Sequence, residues 1–597
     1  MREVNRTLRL VLLKEIPEDA RLRQQWNAVV ERLDQPQVFY TYEWSLAVQR
    51  AYHATLRRLL FLAYDENESL CGVAALAGDI GGKRASFLCA TTGDYCDFLS
   101  PPELKDAFAR GVLAELKNQG IEDITLTNLP ADSDTVAAIE RAAGTYGYRS
   151  FARTAYVCAQ VSLGQLERRP GESKPVLPGK KMVRRSLSAL GREAPVRVDL
   201  ARSWDDLGPI LSQFMQAHIA RFLATGRISN LVQPERRGFL QELAKLLSES
   251  GWLVLSRLMV GETTVAWNYG FQFHGVLFWY QPTFESELEK LSPGFCLLAK
   301  LIEEAAENPA LSIVDLGLGA EEYKERFANQ SRETLYVTLR ASAVDHTREI
   351  LRYRAAQIVK ASPRVEAAVR TAARSLTRSK DGGRREGFAG VLRVLAKRTA
   401  GFVKSHTVVW FLEWSDADVP HLSAAKLQGL DLNQLAAAAE QYSNDPLTLA
   451  YLLRAAARWR ERNAEGFALI DPEGVFLSFA WVTAFEGFFL RDLNTKLEGP
   501  SPDSVILFEC WTPIGVRGHE YHGQLIRLIA QRMRERGKKV WIPGTGSGVV
   551  SIRELEKAGF QKRYALVRHR FFGMQSVDGK TPIGEEELNA EVSARVS

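Results

Sequence analysis

Phe508-Glu-Cys-Trp-Thr-Pro-Ile-Gly-Val-Arg-Gly-His-Glu-Tyr-His-Gly-Gln-Leu-Ile526 reads as a strand ending at Trp511, a loop carrying Gly515 and Gly518, and a helix starting near Tyr521. A glycine-bearing loop that opens a helix presents unpaired backbone N–H groups and the positive end of the helix dipole, which together suit a pyrophosphate. Downstream, Ser551-Ile-Arg-Glu-Leu-Glu-Lys-Ala-Gly-Phe560 reads as a helix ending in Gly-Phe and leading into a strand. Strands interleaved with crossing helices indicate an α/β (α+β) domain with a mixed central sheet flanked by helices.

The same alternation recurs upstream. Residues 1–170 pattern as strands at 59–64, 72–77, 85–89, 121–126 and 156–162, with helices at 20–33, 104–117 and 134–143. A Pro/Gly-rich join, Arg169-Pro170-Gly171 to Pro178-Gly179, separates them from a second unit over 178–340. That unit starts with the basic helix 180–190. Strands follow at 196–200, 252–259, 264–273, 276–280 and 312–316, with helices at 204–225, 234–250 and 293–307. A third unit covers 405–575, and the polar tail 576–597 is expected to be disordered.

The chain has 597 residues, enough for three or four domains, and is 46% hydrophobic and 25% charged, which excludes wholesale disorder, collagen-like structure and coiled coil. No run of 18 uncharged apolar residues is present, so no membrane-spanning helix is expected. The N-terminal apolar stretch is too short for a signal-peptide core. Six scattered cysteines without a Cys-x-x-Cys pair argue against structural zinc and a disulfide framework, and a cytoplasmic protein with reduced thiols and no metal is expected. Residues 348–404 hold 15 Lys/Arg against 4 Asp/Glu, a local net of +11, which leaves −5 for the remainder of a chain whose total is +6. The basic character therefore belongs to one helical connector, 346–404.

The C-terminal stretch resembles the GNAT acetyltransferase superfamily, whose signature is a strand, an Arg/Gln-x-x-Gly-x-Gly/Ala loop, a helix, and later a short helix ending Lys-x-Gly-Phe. Arg517-Gly518 and Lys557-Ala558-Gly559-Phe560 match. Glu520 and His522 stand where the signature has glycine and a small residue, Leu555 where many members have a catalytic tyrosine, and Ser547 or Gly548 where asparagine is common. The middle unit is similar to the CelD/BcsL-type acetyltransferases, a GNAT branch associated with cellulose and exopolysaccharide biosynthesis. Its matching residues are Leu291-Ser-Pro-Gly294, then Asp315, Gly317, Tyr323 and Lys324, with Phe39 and Trp44 fitting the N-terminal half. The FemAB-like aminoacyl-tRNA-dependent transferases also join two such units.

The resemblance implies tandem GNAT-like folds over 1–170 and 178–340, with a divergent third copy at 405–575. It also implies acyl transfer from acetyl-CoA or a longer acyl-CoA to an amine or hydroxyl on a sugar or envelope precursor. Ser292, Pro293 and Gly294, with Arg517 and Gly518, become the candidate CoA-binding residues; read without the resemblance, Ser292-Pro293 is a helix cap with proline at the first position. Asp315, Tyr323 and Lys324 become candidates near the acceptor, where a carboxylate could take the proton of the nucleophile. From its position alone, Asp315 serves equally as a cap or a salt-bridge partner of Lys324. Glu509 is a candidate base on the strand entering the Arg517 loop, or an exposed strand glutamate. His519 and His522 read as surface polar residues, and Cys296 and Cys510 as buried core cysteines.

The connector has three readings: a solvated linker against acidic domains, peripheral attachment to anionic lipid at the inner face of a membrane, and contact with nucleic acid such as tRNA. Val365, Val369, Ala372 and Leu376 form one apolar stripe there, and Phe388, Val391, Leu392 and Leu395 another. Two rivals to the acyl-CoA reading stand: an aminoacyl-tRNA-dependent peptidyl transferase, and a non-catalytic assembly or binding protein that kept the fold.

Overall fold

The structure is a computed structural model that describes residues 8–79, 81–168, 175–319, 321–360, 404–415, 424–545, 552–571 and 574–582. It divides into two compact units, one comprising Met1–Arg221 and Asn230–Ile358, the other Phe222–Ser229 and Val359–Ser597. Each is mixed α/β, with a large mixed sheet flanked by helices.

The sheet of the first unit contains β1 (Arg9–Leu13), β2 (Arg57–Tyr64), β3 (Leu70–Gly78), β4 (Arg84–Phe87), β5 (Asp123–Pro130), β6 (Arg149–Ser162), β7 (Val196–Ala201), β8 (Leu253–Val260), β9 (Thr263–Phe273), β10 (Val276–Phe284), β11 (Ile313–Asp315) and β12 (Gln330–Arg340). They lie in the order β1-β2-β3-β4-β5-β12-β6-β11-β10-β9-β8-β7. Read inward from either edge, four antiparallel strands are followed by a fifth in parallel, β4 beside β5 and β10 beside β11. The two halves are joined by exchange of their last strands. β6 follows β5 in the chain but pairs with β11, whereas β12 follows β11 and inserts between β5 and β6. The segments 1–170 and 178–340 therefore share one continuous sheet.

Parallel pairing in the second half is brief. β10 and β11 are registered only from Val276↔Ile313 to Phe278↔Asp315, while β10 continues to Phe284. A bulge between Phe278 and Gln281 bends β10 at that point. The strands part beyond it, and the gap opens toward the ends of β10 and β11. The helix Pro293–Glu307 links them and buries Leu297, Leu298, Leu301 and Ile302 against the sheet. Proline is tolerated at its start because the first N–H has no intrahelical acceptor.

The second unit repeats this plan with β13 (Lys404–Trp414), β14 (Lys426–Gly429), β15 (Glu465–Ile470), β16 (Phe476–Ala484), a short hairpin of β17 (Phe489–Leu490) and β18 (Thr495–Lys496), β19 (Ser504–Trp511), β20 (Lys539–Thr545), β21 (Phe560–Phe571) and β22 (Met574–Pro582). Its main sheet runs β14-β15-β16-β19-β20-β13-β21-β22. β19 and β20 are parallel and registered only from Ser504↔Lys539 to Ile506↔Trp541, so they too part along their C-terminal halves.

The structure departs from the sequence pattern in identifiable places. The helix Tyr42–Ala51 buries every residue from Tyr42 to Val48, so no polar face marks its period. β12 reads as polar, with Ser331, Arg332, Glu333 and Thr334, yet it lies centrally because Thr334 and Thr338 are buried as strand-facing side chains. β22 occupies the start of the expected disordered tail; the backbone of Met574–Pro582 pairs along β21, which needs no apolar side chains. Residues 583–597 lie outside the described residues, as do the stripes at 365–376 and 388–395. The described start of the connector is the helix Ala343–Lys360. Among the described residues no helix is long and apolar enough to cross a membrane.

Candidate functional sites in the two units

In the first unit a cavity of about 540 Å³ lies where β10 and β11 part. Tyr280 and Gln281 enter from the bulge of β10, Leu318 from the turn after β11, Thr127 from β5, Arg236 from the first turn of the helix Pro234–Glu249, and Asp94 from the loop after β4. Asp94 is raised to about 7, first because burial disfavours the charged carboxylate and second because Asp315 is a neighbouring acid. Lys324 and Arg236 pull in the opposite direction, more weakly.

Arg236 is 7% exposed. It donates to the Tyr280 hydroxyl at 2.7 Å, and that hydroxyl donates to the Thr92 carbonyl at 2.5 Å. Three buried atoms on this cavity's walls have no hydrogen-bond partner: Arg236 Nε, Thr127 Oγ1 and Gln281 Oε1.

Asp315 stands behind this cavity rather than on it. It is 1% exposed, accepts from Tyr95 and Gln160 at 2.8 Å through Oδ2, and accepts the Gly317 N–H at 2.8 Å through Oδ1. Burial raises it above the ordinary carboxyl range. Tyr323 is half-buried and its hydroxyl accepts from Trp279 Nε1 at 3.2 Å. Lys324 is buried; its ammonium donates to the Leu318 carbonyl at 2.8 Å and pairs with Glu321 at 3.2 Å. Asp315 and Lys324 therefore brace the turn Gly317–Leu318 that backs Asp94, whereas Tyr323 is held by Trp279. Gly317 is required there: its φ is +72°, and a Cβ would lie 2.6 Å from Asp94 Oδ2.

At the start of the helix Pro293–Glu307, Ser292 adopts a left-handed conformation and its side chain makes no capping bond. The first-turn N–H groups are thus left uncapped by the serine, unlike the capped start read from sequence. Pro293 is buried, and a Cβ on Gly294 would lie 3.1 Å from the Phe284 ring, so packing as well as ligand approach favours glycine. The helix Lys180–Leu190 packs beside it through Val183 and Leu190 and leaves Lys180, Lys181, Arg184 and Arg185 exposed. The uncapped first turn, the dipole and these cations suit an anionic ligand.

In the second unit Glu509 lies in the bulge of β19 with φ +48°. Arg458 holds its carboxylate at 3.0 Å and also pairs with Glu461 at 2.8 Å. The Arg517 guanidinium lies 4.6 Å over the Trp511 ring and donates to the Thr512 carbonyl at 3.0 Å, which shapes the loop. Trp511 stacks on Tyr451 at 3.5 Å, and Arg454 covers the far face of Tyr451 at 3.8 Å. Gly518 has φ +90°, and Glu520, at the signature's glycine position, keeps a left-handed φ of +57°. Arg517 and Gly518 line a cavity of about 530 Å³ at the start of the helix Tyr521–Glu535, and Glu509 lines a second of about 750 Å³.

His522 differs from its expected surface setting: both ring nitrogens are shut from solvent, and burial lowers the imidazole to about 4. Cys296 is buried as expected. Cys510 is half-buried and lines both cavities of this unit. No group of three or more His, Cys, Asp or Glu among the described residues could hold a metal.

Asp94, Arg236 and Gln281 are functional candidates that sequence reading did not find. Asp94 occupies Thr92-Gly-Asp-Tyr95, a pattern shared with ordinary polar turns; only the bulge and the strand exchange bring the three together.

Residues 179–325 match the acetyltransferase (GNAT) domain family. No curated protein matches the chain in sequence. Among solved structures, FemX is similar at 10% identity and a TM-score of 0.38, covering 53% of this chain and 95% of that one. L-PGS from Bacillus licheniformis gives 12%, 0.35, 55% and 96%. A tandem GNAT protein from the clavulanic acid biosynthesis pathway gives 12%, 0.33, 56% and 99%. Likenesses this distant say nothing about substrate.

Proposed function

We propose that the first unit transfers an acyl group from an acyl-CoA thioester to an amine or hydroxyl of an acceptor held in the Asp94 cavity. The observation that carries this reading is the placement of the Asp94 carboxyl, beside the acid Asp315, in the cavity where β10 and β11 part, within a chain whose residues 179–325 match an acetyltransferase (GNAT) domain family. Acyl-CoA, when bound, supplies an activated thioester carbonyl. The uncapped turn Ser292-Pro293-Gly294 would hold its phosphates, with Lys180, Lys181, Arg184 and Arg185 adding positive charge.

Asp94 would accept the proton of the attacking amine or hydroxyl as the new C–N or C–O bond forms and the C–S bond breaks. Its raised affinity for a proton suits that task near neutral pH. Arg236, Thr127 and Gln281, which line the cavity, would orient the acceptor, and polar side chains of this kind suit the hydroxyl groups of a sugar or envelope precursor. Asp315 and Lys324 act in this scheme as positioning residues behind Asp94.

The test is calorimetric titration of acetyl-CoA into the full chain, followed by assay of free thiol release with a panel of amino sugars and sugar nucleotides. Acetyl-CoA should bind. Asp94→Asn should lower kcat/KM by about 10²–10⁴-fold while leaving acetyl-CoA affinity in place. Absence of acetyl-CoA binding, or wild-type turnover by Asp94→Asn, would overturn the reading.

A further inference from the structure

Among the described residues, the three most exposed large apolar side chains belong to one helix: Val344 (75% exposed), Leu351 (60%) and Ile358 (71%) on Ala343–Lys360. They recur every seven residues, which falls only about 20° short of two full turns, so the three stand nearly in line. Ala355, also exposed, lies beside them. Arg348 and Arg354, each three residues from Leu351, are exposed and flank it at about 60° on either side.

The opposite face of this helix holds it to the first unit. Tyr353 meets Phe151 edge-on at 5.5 Å, the Arg153 guanidinium lies 5.7 Å over the Tyr353 ring, and Glu349 pairs with Arg340 at 2.9 Å. His346 and Ile350 are half-buried on that side. The apolar line is therefore turned outward by the helix's own docking, and it buries nothing of the fold. Single exposed apolar residues are ordinary on a protein surface; aligned along one helix face, they mark an interaction surface.

Charge decides what covers it. The stretch that this helix opens, 348–404, holds 15 Lys/Arg against 4 Asp/Glu. A second copy of the same face would set Arg348 and Arg354 against their like-charged counterparts. A helix–helix seam also needs apolar residues alternately three and four apart, and Thr347, Arg348 and Arg354 stand at those positions here. An anionic bilayer accepts the arrangement, because the apolar line can enter the acyl boundary while the flanking arginines reach lipid phosphates. We propose that the outward face of Ala343–Lys360 docks the protein on an anionic lipid surface, with Val344, Leu351 and Ile358 inserted at the headgroup boundary and Arg348 and Arg354 on the phosphates. The docking face includes no residue of the Asp94 cavity and does not depend on its chemistry.

The test co-sediments the full chain with vesicles of phosphatidylcholine alone and with vesicles of equal parts phosphatidylcholine and phosphatidylglycerol. The protein should bind the anionic vesicles and leave the neutral ones largely free. Leu351→Ser combined with Ile358→Ser keeps every charge of the basic stretch and should weaken binding to the anionic vesicles about 10-fold or more. Arg348→Gln combined with Arg354→Gln should also weaken it about 10-fold or more. Both variants should keep the wild-type unfolding midpoint, because the substituted side chains face water. Failure of the wild type to bind anionic vesicles, or undiminished binding by the Leu351→Ser, Ile358→Ser variant, would overturn the proposal. So would a wild-type dimer that this variant dissociates in analytical ultracentrifugation, which would make a second copy the occupant. A fall in the variant's unfolding midpoint would overturn it too, by making another segment of this chain the occupant.

Discussion

Asp94→Asn should make the protein more stable in a pH-dependent way. In the folded chain this carboxyl is held at about 7 against the ordinary 3.8. Below pH 4 both folded and unfolded chains hold the proton, and the residue makes no difference. Between about pH 4 and 7 the unfolded chain has lost the proton and the folded chain has not, so unfolding becomes progressively more favourable. The loss is complete once pH exceeds the folded value. A difference of this size amounts to at most about 4 kcal/mol. The amide of the variant cannot ionise, and its oxygen can still accept the Leu318 N–H that the carboxylate accepts. Urea unfolding of wild type and variant at each half-unit from pH 4 to 8 measures the effect, and comparison at each pH cancels every other titrating group. The variant should be close to wild type at pH 4, gain steadily to pH 7 and stay level above. A gap that does not vary with pH, or one that closes as pH rises, would refute the burial argument and with it the assignment of Asp94 as a base held near neutrality.

Two substitutions behind Asp94 should move the midpoint of the activity–pH profile in opposite directions. Asp315→Asn removes the neighbouring acid and should lower it, whereas Lys324→Met removes a cation and should raise it. Gly317→Ala places a Cβ 2.6 Å from Asp94 Oδ2 at a φ of +72° and should cost about 1–3 kcal/mol by urea unfolding, with kcat reduced more than the affinity for acetyl-CoA. Trp511→Ala removes the centre of the Arg454–Tyr451–Trp511–Arg517 stack and should destabilise the second unit by about 3–5 kcal/mol, read from its urea transition. Arg458 and Glu509 are partly exposed, so a double-mutant cycle should find a coupling of only about 0.2–1 kcal/mol between them.

The sequence by itself determined the class of fold. Its alternation of strands and helices, the Ser292-Pro293-Gly294 start and the Arg517-Gly518 loop are local signals, because a helix start or a glycine with positive φ is set by a few adjacent residues. Asp315, Tyr323 and Lys324 were legible as a group for the same reason: they share one strand end and the turn after it. Their roles were not legible. Whether Asp315 faces a ligand or a neighbour depends on Tyr95 and Gln160, which lie more than 150 residues away in sequence and reach it only through the sheet. Tertiary structure alone decided that the N-terminal segments share a sheet by exchanging β6 and β12, since main-chain pairing leaves little trace in side-chain pattern. It also decided that Asp94, in an ordinary turn, is half-buried near a second acid, and that His522, on a helix whose sequence reads as surface, has both ring nitrogens shut from solvent. Proton affinity and hydrogen-bond satisfaction depend on everything packed around a group, and that is assembled only when distant segments meet.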